Sequence, residues 1–267
     1  QYPLPKKMID KLAAECETIL VLEDGYPFVE NQLKGFFESK PVKGRLDGTL
    51  PRTGELNQNL IAKTFGFSVE SSYDIPSIVK ARPPQMCQGC GHRDMYAALN
   101  EVLREYPDSK VFGDIGCYTL GALPPFQAIN SCVDMGASIT MAKGAADAGL
   151  YPAVAVIGDS TFTHSGMTGL LDAVVEDANI VVVISDNETT AMTGGQDSQG
   201  TGKIESICLG LGVKPEHLRV FVPLKKNYDE MLQIIREEVE YKGLSVIIPR
   251  RECIQTMTRK MKEAKKK

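Results

Sequence analysis

The chain has 267 residues, a formal net charge of −4, seven cysteines and no tryptophan. Its length fits one large α/β domain plus an appendage, since domains commonly run to about 100–200 residues. With no basic excess, no apolar run near the ~18 residues of a membrane span and no charged-then-apolar leader, neither a nucleic-acid partner nor a membrane is expected.

A cytoplasmic protein is therefore the expectation. An odd cysteine number that includes a CxxC pair points to metal or redox chemistry rather than a disulfide framework.

The first 40 residues carry a helical pattern at 6–16, an apolar run at 18–22 and a second helical pattern at 28–37. A piece of that size cannot bury its own apolar faces, so 1–40 is expected to be the end of a domain that packs on other material. Residues 41–81 are rich in Pro, Gly, Ser and Asn and read as a long connector, with a short helix near 55–63. The main domain is expected over 82–254, and 255–267 as a charged tail.

Pro83 and Pro84 hold the start of that domain extended, and the spacing of Met95, Ala98, Leu99, Val102 and Leu103 marks an amphipathic helix. Cys87 and Cys90 fall in the loop at its N-terminus, where the helix end favours thiolates. A strand at 110–114 leads through Gly116 to Cys117, and a helix of small residues follows at 135–150. The apolar run 153–157 then stops at Gly158-Asp159-Ser160, a helical pattern intervenes, and a second buried run, 180–184, stops at Asp186-Asn187. Such a βαβ unit delivers Asp159 and Asn187 to the carboxyl edge of one sheet, where ligands of doubly wound folds bind. A helix at 203–211, a strand at 219–222, a helix at 228–241 and a strand at 244–248 lead on to Cys253. The alternation gives the expected fold class: α/β, with a doubly wound, mostly parallel sheet.

A carboxylate and an amide oxygen at one edge suit Mg²⁺, which keeps positions open for phosphate oxygens, and the helix after Ser160 aims its first amides at the same anion. His164, within reach of such a ligand, is the candidate catalytic residue. Cys87, Cys90, Cys117 and Cys253 all fall in loops at this edge or at a helix start. Four thiolates suit zinc or an iron–sulfur cluster, and the spacing does not choose between them; His92 is a further candidate zinc ligand. Cys16, Cys132 and Cys208 read as core residues, and His217 as an exposed loop residue.

The GDS turn with Asn187 following 28 positions after Asp159 resembles the thiamine diphosphate motif, with Ser160 in place of its last glycine. The strings RPPQMCQGCGHR, GDIGCYTLGALPP, MGASITMAKG, VAVIGDSTFTHSGM and DNETTAMTGGQ closely resemble the thiamine diphosphate-binding part of the indolepyruvate:ferredoxin oxidoreductase α subunits, within the 2-oxoacid:ferredoxin oxidoreductases. The opening YPLP and VLEDGYPFVENQLKG resemble the end of the transketolase-C-like domain that precedes this part.

The resemblance implies Mg²⁺ held by Asp159, Asn187 and the Thr189 carbonyl. It implies thiamine diphosphate held by Gly116, Cys117, Gly158, Asp159, Ser160, Thr161, Asn187, Thr189, Ala191, Met192 and Thr193, and a [4Fe-4S] cluster on Cys87, Cys90, Cys117 and Cys253. It further implies oxidative decarboxylation of an aryl 2-oxoacid such as indolepyruvate, coenzyme A as acyl acceptor, and electrons passing through the cluster to ferredoxin or a ferredoxin-like subunit. In that family the glutamate facing the aminopyrimidine belongs to a pyrimidine-binding domain. The chain is therefore expected to be a split subunit or an excised segment, silent alone and working in a hetero-oligomer with a chain that carries that domain. A non-redox thiamine-dependent decarboxylase subunit, or a cofactor-binding assembly subunit, are the alternatives.

Overall fold

The computed structural model describes residues 3–69, 76–80 and 82–265, and divides the chain into two units, 1–81 and 82–267. In the first, α1 (Lys6–Glu15), β1 (Ile19–Leu20), α2 (Phe28–Phe36), β2 (Val42–Lys43) and α3 (Gln58–Thr64) follow in order, and β1 and β2 pair in parallel. A small core of Ala13, Ile19, Val21, Leu33 and Val42 joins α1, β1, α2 and β2. Glu30, almost wholly buried, accepts from the Arg45 amide at 2.7 Å and meets Lys34 at 3.0 Å. Residues 41–81, expected as a connector, thus begin with a strand of the first unit, too short to stand out from its Pro- and Gly-rich surroundings. The α3 helix starts at Asn57, whose side chain caps it by accepting from the Leu60 amide.

The second unit is built on a six-stranded sheet in the order β4 (Ser131–Cys132), β3 (Lys110–Gly113), β5 (Ala153–Gly158), β6 (Ile180–Ser185), β10 (Ser245–Pro249) and β9 (Leu218–Phe221), every pair parallel. Its elements run α4 (Gly91–Leu103), β3 (Lys110–Gly113), β4 (Ser131–Cys132), α5 (Ala137–Asp147), β5 (Ala153–Gly158), α6 (Asp159–Thr161), α7 (Met167–Val175) and β6 (Ile180–Ser185). A hairpin, β7 (Thr189–Thr190) with β8 (Gln196–Asp197), follows, then α8 (Ile204–Gly210), β9 (Leu218–Phe221), α9 (Tyr228–Glu240), β10 (Ser245–Pro249) and α10 (Ile254–Ala264). The segment expected as a charged tail from 255 is therefore helical through Ala264.

Every residue of β5, β6 and β10 is buried, as strands covered by helices on both faces must be. The period of two sorts their side chains: Val154, Val156, Val181, Val183 and Ile247 pack with α4 and α9, while Ala155, Ile157, Val182, Ile184, Val246 and Ile248 pack with α5, α7 and α8. Each such Val or Ile contributes roughly 1.5–3 kcal/mol by leaving water. Lys143 of α5 joins α7 through Glu176 at 2.8 Å. Among the described residues no helix is long and apolar enough to cross a membrane.

Two readings of single residues are corrected. Cys132, expected in the core, is exposed, because it lies on β4, a two-residue strand at the edge of the sheet with no strand beyond it. His217, expected to be exposed, is half-buried: its Nδ1 lies 2.9 Å from Glu238 Oε2 and its ring stacks on Tyr241. A sequence window shows the loop around each but not the strand or helix packed beside it.

Candidate functional site

The register Ala153↔Ile180 through Gly158↔Ser185 ends β5 and β6 level with one another. Asp159 and Asn187 consequently leave the sheet side by side. From Asp159 the chain enters a helix that passes through a π-helical turn at Phe162–Gly166 before α7, an irregularity often found at functional sites. Ser160 Oγ lies 2.7 Å from Thr190 Oγ1, tying the GDS turn to β7, and Arg259 of α10 donates to the Gly194 carbonyl at 3.2 Å in the same hairpin.

One cavity at this edge is lined by Gly116, Cys117, Gly158, Asp159, Ser160, Thr161, Asn187, Thr189, Ala191, Met192 and Thr193. All eleven residues expected to hold the cofactor thus line one cavity. Asp159 is 3% exposed and its Oδ2 has no hydrogen-bond partner. Burial raises its pKa to about 6, the Ser160 amide and the Ser198 hydroxyl pull it back, and the charge of Asp186 adds to the rise. An unpartnered, buried carboxylate oxygen is costly and suits a divalent cation. Asn187 Oδ1 accepts from the Thr189 amide at 3.3 Å, which fixes the turn that brings both residues to the cavity.

Sequence reasoning missed Tyr118, which lines this cavity. A Cβ at Gly158 would lie 2.5 Å from its ring, and one at Gly116 closer still, so both glycines are there to admit the ring. The Tyr118 hydroxyl donates to Asp114, whose other oxygen accepts from Ser138 Oγ at 2.7 Å and the Gly136 amide at 3.2 Å. Asp114, fully buried, therefore knots three segments behind the Tyr118 ring. The GDIGCY string held this signal, but nothing local says that a tyrosine four residues on folds back over the glycines.

A second cavity is lined by all four expected thiols, Cys87, Cys90, Cys117 and Cys253, together with His92. Burial raises the Cys90 thiol and pushes Cys117 up to about 11, and the neighbouring thiols add to both shifts. Both rest protonated at neutral pH, so loading them with a soft metal would release protons. Among the described residues no three His, Cys, Asp or Glu side chains are gathered closely enough to hold a single metal ion. His92 is 6% exposed, and burial lowers its pKa to about 4, which leaves it neutral. Cys117, Asn187 and Ala191 line both cavities, so one cysteine forms the wall between them. His164, by contrast, is exposed, with Nδ1 3.0 Å from Ser165 Oγ, and is not among the residues lining either cavity.

Residues 114–248 match the family model described as thiamine pyrophosphate enzyme, C-terminal TPP binding domain. Over 94% of its length the chain is 33% identical to an indolepyruvate oxidoreductase subunit IorA from Archaeoglobus fulgidus, and over 95% it is 34% identical to one from Methanothermobacter thermautotrophicus. It spans only 43% and 44% of those relatives' own lengths. A solved 2-oxoglutarate:ferredoxin oxidoreductase from Magnetococcus marinus, with 2-oxoglutarate, coenzyme A and succinyl-CoA bound, aligns at a TM-score of 0.52 and 17% identity. The match covers 65% of this chain and 66% of that one, a likeness of fold. The family-model match begins at Asp114 and ends in β10, so it takes in both strand ends that carry Asp159 and Asn187. The chain belongs to the thiamine pyrophosphate enzymes, whose C-terminal TPP-binding domain its residues 114–248 match.

Proposed function

We propose that the chain is the thiamine diphosphate- and Mg²⁺-binding component of an oxidoreductase that decarboxylates aryl 2-oxoacids of the indolepyruvate type to acyl-CoA and delivers the electrons to ferredoxin. The observation that carries this reading is the shared wall: Cys117 and Asn187 border both the cavity with the unpartnered Asp159 oxygen and the cavity with four thiols. A non-redox decarboxylase has no use for a thiol cavity against its cofactor. The names and identities of the relatives support the same substrate class.

In this reading Asp159, Asn187 and the Thr189 carbonyl hold Mg²⁺. Gly116, Cys117, Gly158, Ser160, Thr161, Ala191, Met192 and Thr193, which line the same cavity, would hold the thiamine diphosphate. Bound thiamine diphosphate supplies the carbanion chemistry of 2-oxoacid decarboxylation. The chain's own residues would bind and orient it: the two glycines seat the Tyr118 ring in the cavity wall, and Asp159 would hold the metal that offsets the diphosphate charge. Cys87, Cys90, Cys117 and Cys253, which line one cavity, would hold a [4Fe-4S] cluster. His164 has no step assigned to it. A pyrimidine-binding domain on a partner chain completes the site within a cytoplasmic hetero-oligomer.

The test is anaerobic purification followed by iron, sulfide and thiamine diphosphate analysis, and indolepyruvate turnover with and without a chain carrying the pyrimidine-binding domain. About four irons per chain, and activity only with the partner and coenzyme A, are expected. A colourless, iron-free protein that still decarboxylates would sink the redox reading, and turnover by the chain alone would sink the requirement for a partner.

A further inference from the structure

Cys90 and Arg251 line the thiol cavity and also an adjoining open groove, whose walls carry Arg93, Lys225 and Lys226. Four cationic side chains thus share a groove with one carboxylate, Asp94, in a chain whose net charge is −4. Arg251 reaches Asp94 only at 3.4 Å, and Arg93 lies over the Phe126 ring, 5.4 Å from its centroid. Lys225 and Lys226 stand exposed on a single helical turn, Lys225–Asn227. Among the described residues neither lysine, nor Arg93, has a carboxylate at ion-pair distance. A concavity lined by one sign of charge focuses its field and draws an oppositely charged partner.

The order of the three hollows says what such a partner is for. The thiol cavity shares Cys117, Asn187 and Ala191 with the cofactor cavity on one side, and Cys90 and Arg251 with the basic groove on the other. The groove and the cofactor cavity have no lining residue in common. A ligand in the groove therefore meets the thiol loop without reaching the cofactor. That is the position of an electron carrier and not of an acyl acceptor.

We propose that this groove is the docking face for an acidic electron-carrier protein. The inference rests on the function proposed above and names where its electrons leave. With a cluster on the four thiols, the oxidised carrier would take up one electron, and no bond would be made or broken. Such encounters are small, and their strength depends on salt because charge supplies most of the attraction.

The experiment titrates the anaerobically purified full chain with an acidic two-cluster bacterial ferredoxin by calorimetry, at low and at physiological ionic strength. It compares the parent with Lys225→Glu/Lys226→Glu and with the neutralised Lys225→Gln/Lys226→Gln. The double reversal is expected to weaken binding roughly tenfold or more at low salt, the neutralised variant by less, and both differences shrink as salt rises. Iron content, thiamine diphosphate affinity and thermal unfolding should match the parent, since both lysines are exposed. No binding of the ferredoxin by the parent, equal affinity in the charge-reversed variant, or displacement of the ferredoxin by coenzyme A would overturn the proposal. Loss of iron or of thiamine diphosphate binding in the parent would instead count against the proposed function.

Discussion

The backbone N–H of Cys253 donates to the carbonyl of Asn187 at 3.1 Å. One thiol of the cysteine cavity and one donor of the proposed Mg²⁺ site thus hang on a single hydrogen bond. The Arg251 amide continues the link to the Asp186 carbonyl at 2.9 Å, and the Asp186 amide donates to Pro249 at 3.2 Å. Arg250 locks it from the side, with Nε 2.6 Å from Asp186 Oδ2 and its other nitrogens 2.7 and 2.6 Å from Glu205.

Arg250→Ala leaves the Asp186 carboxylate buried without its ion partner. Breaking a buried pair from one side costs about 3–5 kcal/mol, so denaturant unfolding should show a loss of that order. Mg²⁺-dependent thiamine diphosphate affinity should fall as well, because the 186–187 segment loses its lateral anchor. A variant that unfolds like the parent would show that the pair holds nothing in place.

Asp159→Asn separates binding from stability. The folded-state pKa of Asp159 is raised from 3.8 to about 6, so the ionised form is the disfavoured one in the metal-free fold. The cost is fully present above about pH 6 and is relieved as pH falls toward 3.8; at neutral pH it is about 3 kcal/mol. The metal-free Asn variant should therefore melt above the parent at pH 7 and lose that advantage near pH 4. It should no longer bind thiamine diphosphate in a Mg²⁺-dependent way, as calorimetric titration would show. Retained affinity would remove Asp159 from the metal site.

His92 works in the opposite direction. Burial lowers its pKa from 6.5 to about 4, so it is neutral in both states at pH 7 and adds no cost there. As pH falls below 6.5 the unfolded chain takes up a proton that the folded chain refuses. The parent should lose about 3 kcal/mol between there and pH 4 relative to His92→Gln. Urea unfolding of both proteins across that range checks it, and parallel stability curves would contradict the burial argument.

Gly158→Ala places a Cβ 2.5 Å from the Tyr118 ring. The ring must move, pulling its hydroxyl from Asp114 and pressing on the cofactor cavity. Overpacking of this kind costs about 1–3 kcal/mol, and thiamine diphosphate binding should weaken with it. An Ala variant with parental stability and affinity would mean that Tyr118 moves aside freely.

The sequence by itself determined the sheet and the edge that carries chemistry. Apolar runs such as 153–157 and 180–184 have no stable place except between helix layers, and the residue after each run must emerge at the carboxyl edge. That is why Asp159 and Asn187 were legible, and why four cysteines in loops at that edge could be grouped before any distance was known. Tertiary structure alone decided which loops touch. The ring of Tyr118 over Gly116 and Gly158, the Arg250 clamp on Asp186 and Glu205, and the Cys117 wall between two cavities each join residues that no periodicity links. The exposure of Cys132 and the burial of His217 were hidden for the same reason. Local pattern sets the faces of an element, whereas the packing of one element on another sets what each side chain meets.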